Sequence, residues 1–197
     1  ADVHRIEGIR GSNCYLITAS ELTLIDTGMP GQAGKILKFI SHLGYNRQSL
    51  RWIILTHHDL DHIGSAAELQ ELTGGKVCMH PADADCVQGK VPRRPRWKAW
   101  ASALAGLGSG FQPPRIDRLV SDGKVVGPVQ VIHTPGHSAG SISLKYGPII
   151  FVGDLIRTRF FIRENSPLVN EDSAQARASI KKLASLDFEI LCPGHGR

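Results

Sequence analysis

Thr56-His57-His58-Asp59-Leu60-Asp61-His62-Ile63-Gly64, THHDLDHIG, follows the apolar run RWIIL at 51–55. That run reads as a buried strand, since aromatic and β-branched side chains fill it without a break. Directly beyond it the chain crowds three histidines and two aspartates into positions 57–62. Polar groups at such density are costly to desolvate unless something ionic satisfies them. Imidazole and carboxylate are also the donors that hold zinc, manganese or iron. The stretch therefore reads as a metal-ligand loop at a strand end.

Three later segments share its grammar of apolar strand, then His or Asp beside Gly. They are VIHTPGHSAGS, IIFVGD and ILCPGHG. Side chains placed just past strand ends can converge without occupying core space. The candidate ligands are His57, Asp59, Asp61, His62, His137, Asp154 and His195. They suffice for two ions with three or four protein ligands each. His4, His42, His80 and His133 read as ordinary hydrogen-bonded histidines. His58 neighbours the cluster, and the sequence leaves open whether it joins the ligands or faces outward behind them. Ser138 and Ser141 read as caps of their turn.

Around these segments the pattern alternates strand and helix. VHRIEGI, NCYLITA and ELTLID predict strands, as do KVCMH, RIDRLV, VQVIHT, SISLKY, IIFVGD and FEILC. Helical spacing predicts helices over 32–43, 64–74 and 172–186, and Pro81 opens a brief one over ADADC. Residues 88–115 carry prolines, glycines, a basic run and tryptophans, and read as an insertion or lid with a short helix near 97–105. Two sheets packed between outer helices would bring every polar loop to one edge.

The segments THHDLDHIG, TPGHSAGS, FVGD and PGHG, in that order, resemble the metallo-β-lactamase superfamily, and IDTG at 25–28 is similar to the turn before its first helix. The resemblance implies an α/β fold, a four-layer αββα sandwich with the active site at the sheet edge, over a single domain 1–197. It implies that His57, Asp59 and His137 bind one ion, that Asp61, His62 and His195 bind the other, and that Asp154 bridges them. It also implies hydrolysis by a metal-bridged hydroxide, with Asp61 orienting it and passing a proton to the leaving group. The family usually has histidine where Asp59 stands. A carboxylate there makes the first site harder and more negative, so zinc is the expected metal while iron and manganese stay open.

Length and composition bound the substrate. The chain has 197 residues, 42% hydrophobic and 21% charged, with a formal charge of +5 that is modest for steering a polyanion. Within the resemblance, the glyoxalase II kind carries a further helical domain, whereas this sequence stops just past PGHG. A small lactone, ester or thioester is the expected substrate. The alternatives are a phosphodiesterase or nuclease, with β-lactamase, oxidoreductase and non-catalytic metal-binding protein behind it. Lys90, Arg93, Arg94, Arg96 and Lys98, with Trp97 and Trp100 between them, read as a pocket wall rather than a nucleic-acid contact. A homodimer built on that aromatic segment is compatible with this reading. Cys14, Cys78, Cys86 and Cys192 form no CxxC pair and read mainly as buried thiols. No stretch has the roughly 18 apolar residues of a membrane span. A cytoplasmic location is the expectation, although a start at Ala1 is also what a removed signal peptide would leave.

Overall fold

The computed structural model describes residues 2–95, 97, 104, 108, 110–158 and 162–196. Strands β1 (Val3–Arg5), β2 (Tyr15–Thr18), β3 (Leu22–Ile25), β4 (Leu50–Ile54), β5 (Lys76–Met79) and β6 (Arg118–Leu119) form one sheet in that order. The first three are antiparallel, and β3 to β6 run parallel. Strands β7 (Val125–Val126), β8 (Val129–His133), β9 (Ile142–Tyr146) and β10 (Ile149–Phe151) begin the second sheet. A small ribbon of β11 (Ile156–Arg157) and β12 (Arg163–Glu164) follows, and β13 (Ile190–Cys192) then returns to pair with β10 in parallel. The helices are α1 (Ala33–His42), α2 (Leu60–Ile63), α3 (Ala66–Thr73), α4 (Pro81–Val87) and α5 (Ser173–Ala184).

The layering follows from the two-residue period of a strand, which sends neighbouring side chains to opposite faces. Leu24, Ile53 and Val77 pack with Ile36, Ile40, Leu69 and Ala84 of the helices. Their neighbours Ile25, Ile54 and Cys78 pack instead with Val131, Leu144 and Phe151 of the second sheet. On that sheet's far face, Ile132, Ile150 and Val152 meet Ala176 and Leu183 of α5. Both sheets are thus apolar on both faces, which yields the four layers αββα. Helix α5 is started by Asp172, whose carboxylate accepts from the Ala174 and Gln175 amides at 2.8 and 3.0 Å.

This architecture gathers the polar segments. Strands β3 and β4 are parallel neighbours, as are β10 and β13, and each pair releases its chain at one edge of its sheet. Asp26, His57, Asp154 and His195 each lie within three residues of those four strand ends.

Several sequence expectations change. RIDRLV shortens to Arg118–Leu119 because Asp117 turns its carboxylate to the Val77 amide at 3.0 Å and to Gln70 at 2.6 Å, replacing ladder bonds. VHRIEGI is cut to three residues, and THHDLDHIG contains the helical turn α2 instead of loop throughout. The segment after β10 folds as the β11–β12 ribbon. Most of the helix expected near 97–105, with Arg96, Lys98 and Trp100, lies outside the described residues. All four cysteines are free thiols, of which Cys86 and Cys192 are half-buried rather than buried. Among the described residues, no helix is long and apolar enough to cross a membrane.

The layer assignment predicts that Ile53→Ala and Ile54→Ala each destabilise by about 2–5 kcal/mol, though they open cavities in different layers. Lys76→Ala, on the exposed end of β5, should stay within about 0.5 kcal/mol. Urea unfolding measures all three, and a cost below about 1 kcal/mol at either isoleucine contradicts the sandwich.

Candidate metal centre

Beyond β4 the backbone is extended at Asp59 (φ −68°, ψ 143°), and α2 begins at the next residue. In extended chain, alternate residues share a side. His57 and Asp59 accordingly point into one cluster, while His58 turns the other way. The helical turn then redirects Asp61 and His62. His137 arrives from the loop after β8, Asp154 from the turn after β10 and His195 from the end of β13.

Three groupings result, each with ligand atoms within 4.8 Å of one another: His57, Asp59 and His137; Asp61, His62 and His195; and His57, His62 and Asp154. In the first, Asp59 Oδ2 lies 3.0 Å from His137 Nε2 and 3.6 Å from His57 Nε2. In the second, His195 Nε2 lies 3.1 Å from Asp61 Oδ2 and 3.4 Å from His62 Nε2. Asp154 stands between them. Its Oδ1 is 3.2 Å from His62 Nε2 and 3.3 Å from His195 Nε2, and its Oδ2 is 3.9 Å from His137 Nε2. All seven sequence candidates therefore converge on one place. Gly194 permits the closest approach, because a Cβ there would sit 2.6 Å from Asp154 Oδ1 and 2.8 Å from the His62 ring.

The nitrogens that face inward are set from behind. Asp26 accepts from Thr56 Oγ1 and from His62 Nδ1, both at 2.8 Å. Thr56 has one hydroxyl proton, and the carboxylate can only accept, so that proton goes to Asp26. At 3.0 Å, Thr56 Oγ1 must then accept from His57 Nδ1. One carboxylate thereby assigns Nδ1–H to both His57 and His62, leaving their Nε2 atoms for the centre. His137 Nδ1 has Asn170 Oδ1 at 3.3 Å, and Asn165 Nδ2 donates to the Asp154 carbonyl at 3.0 Å. Asp26, Thr56, Asn165 and Asn170 carried no sequence signal as parts of the centre. Asp26 lay in the IDTG turn, and the two asparagines lay in a segment expected only to border it.

The electrostatics call for added positive charge. Burial and His62 push His57 down to about 4, so it is neutral near pH 7. Burial opposes charging of His62, yet Asp26, Asp154 and Asp61 raise it well above the usual imidazole range. His195 is raised to about 9, since Asp154 and Asp61 outweigh its burial. Asp61 falls to about 2, with His62 and His195 outweighing burial, and Asp154 is lowered well below its usual range. Protons on His62 and His195 thus occupy nitrogens that a cation would take instead. Even so, among the described residues the buried atoms His57 Nε2 and Asp154 Oδ1 have no hydrogen-bond partner. Orphaned buried acceptors facing nitrogen and oxygen donors, with no thiolate among them, fit a pair of borderline-to-hard cations.

His58, whose orientation the sequence left open, faces the interior. It is 1% exposed, and its Nδ1 lies 3.0 Å from Asp83 Oδ2, although outside hydrogen-bonding geometry. Ser141 Oγ accepts from the Ser138 amide at 3.0 Å, which is the capping role, whereas the Ser138 hydroxyl donates to the Asp83 carboxylate at 2.7 Å instead of capping the backbone. His80 and His133 stack on each other away from the centre, with ring centroids 4.1 Å apart.

Asp26→Asn should put an amide N–H against His62 Nδ1 and reverse that ring's tautomer. Metal affinity is then expected to fall by about 10–100-fold, read by calorimetric titration of the metal-free variant. Unchanged affinity contradicts the assignment of Nε2 as the inward nitrogen.

Comparison with known proteins agrees with this geometry. The model of the metallo-β-lactamase superfamily matches residues 8–195. The probable metallo-hydrolase YflN of Bacillus subtilis (strain 168) is 33% identical, over 88% of this chain and 74% of its own. A hydroxyacylglutathione hydrolase of Shewanella baltica (strain OS223) is 30% identical over 83% of this chain, which spans only 53% of that enzyme. Among solved structures, TTHA1623 in a di-iron-bound form superposes with a TM-score of 0.77 at 30% identity, covering 98% of this chain and 91% of that one. With its two clusters of metal-ligating residues, this chain is a metal-dependent hydrolase and belongs to the metallo-β-lactamase superfamily.

Proposed function

We propose that the chain hydrolyses a small carboxylic derivative, a lactone, ester or thioester, at a two-metal centre. The observation that carries the dinuclear reading is Asp154, whose Oδ1 faces His62 and His195 while its Oδ2 faces His137. His57, Asp59 and His137 would hold one ion, Asp61, His62 and His195 the other, with Asp154 shared between them. A bound pair of this kind supplies Lewis acidity and a water of lowered pKa.

The chain's own residues do the remaining work. Asp26 and Thr56 keep the Nε2 atoms of His57 and His62 directed inward, and Asn165 holds Asp154. Asp61 is 34% exposed, against 15% for Asp59 and 10% for Asp154. It is the carboxylate best placed to meet water, to take a proton from the attacking water and to pass that proton on to a leaving oxygen, nitrogen or sulfur. The carboxylic class draws support from the hydroxyacylglutathione that the Shewanella relative is named for hydrolysing. The +5 charge is modest for steering a polyanion. Lys90, within the basic run, pairs with Asp85 at 3.1 Å.

The test is a panel of lactones, thioesters, a cephalosporin and bis-p-nitrophenyl phosphate, assayed with zinc-, manganese- and iron-reconstituted protein. The carboxylic substrates should exceed the phosphodiester in kcat/KM, and chelation should abolish turnover. Phosphodiester cleavage ahead by more than about tenfold, a difference of roughly 1.4 kcal/mol in barrier, would reverse the assignment.

Metal preference is a separate expectation. Asp59 places oxygen where the family usually has imidazole nitrogen, and oxygen suits harder ions. Asp59→His should keep metal binding while moving the zinc-to-manganese preference toward zinc in a competition titration. Identical selectivity in the two proteins would contradict a tuning role.

A further inference from the structure

Behind the first cluster lies a second buried carboxylate that touches none of its ligand atoms. Asp83 sits in the first turn of α4 and is 1% exposed. A carboxylate there could serve its own helix by accepting from first-turn amides. Asp83 instead accepts from two other loops. Its Oδ2 takes the His58 amide at 2.9 Å and the Ser138 hydroxyl at 2.7 Å, and its Oδ1 takes the Gly140 amide at 2.7 Å. His58 lies between His57 and Asp59, whereas Ser138 and Gly140 follow His137. The fit is tight: a Cβ on Gly140 would stand 2.4 Å from Asp83 Oδ1. The His58 ring lies between the two carboxylates, with Nδ1 3.0 Å from Asp83 Oδ2 and Nε2 3.8 Å from Asp59 Oδ1, neither in hydrogen-bonding geometry.

We propose that Asp83 is a positioning residue that clamps the His57–Asp59 loop to the His137 loop and so sets the spacing of the first metal cluster. The inference rests on the two-metal reading above. Nothing comparable joins Asp83 to Asp61, His62 or His195 among the described residues, so its effect falls on one ion and not the other. Charge-assisted bonds of this kind fix loop geometry more firmly than neutral ones, and partners behind metal ligands typically control affinity by about 10–100-fold.

The experiment titrates cobalt(II) into metal-free full-length wild type, Asp83→Asn, Ser138→Ala and Gly140→Ala, following heat and the visible d–d bands, with thermal melts alongside. Wild type should take up two ions. Each variant should bind one ion as wild type does and the other about 10–100-fold more weakly, with altered d–d bands for that ion alone. Ser138→Ala removes a single oxygen and carries the test if Asp83→Asn fails to fold. Two wild-type-like binding events in the variants would overturn the inference and leave the two-metal reading standing. Equal weakening of both ions in step with the melting temperature would also overturn it, since that is the mark of general destabilisation. A wild type that takes up no cobalt would overturn the two-metal reading and this inference together.

Discussion

Asp26 accepts from the Thr56 amide, the Thr56 hydroxyl and His62 Nδ1, each at 2.8 Å, and it does so from a left-handed backbone at φ 57°. Such a conformation costs a non-glycine residue about 1–2 kcal/mol. Hydrogen bonds to a charged group are each worth about 1.5–3 kcal/mol, so three of them outweigh the strain. The Asp26 amide also donates to the Ile54 carbonyl at 3.0 Å, which joins the ends of β3 and β4. A bend that is unfavourable locally thus becomes the hinge between sheet and centre. It fixes where the β4 loop starts and which nitrogen two histidines present.

The carboxylates around the second cluster set the charge of its histidines. With Asp26, Asp61 and Asp154 beside them outweighing burial, and His57 neutral, the metal-free chain holds protons on His62 and His195. A cation at either cluster offsets the same negative charge without a proton. This coupling ties metal affinity to pH.

Much of this was legible in the chain. Ile53 and Ile54, or Ile150 and Phe151, announce strands apolar on both faces, and the ligand residues crowd immediately past such runs. Residue type and strand-end position sufficed because ligands must be His or Asp and must converge somewhere. What stayed illegible depends on contacts between distant segments. Asn165 and Asn170 are ordinary polar residues until the β11–β12 ribbon brings them to Asp154 and His137. The orientation of His58 stayed open because nothing local reveals that α4 places Asp83 against it. The shortening of RIDRLV has the same origin, since Asp117 finds the Val77 amide only across the sheet.

The most direct measurement is anomalous X-ray diffraction from crystals of the metal-loaded protein, collected at the absorption edge of the bound metal. The account predicts two peaks per chain, one flanked by His57, Asp59 and His137 and the other by Asp61, His62 and His195, with Asp154 touching both. A single peak, or a peak that leaves Asp154 or Asp59 without contact to metal, would contradict it.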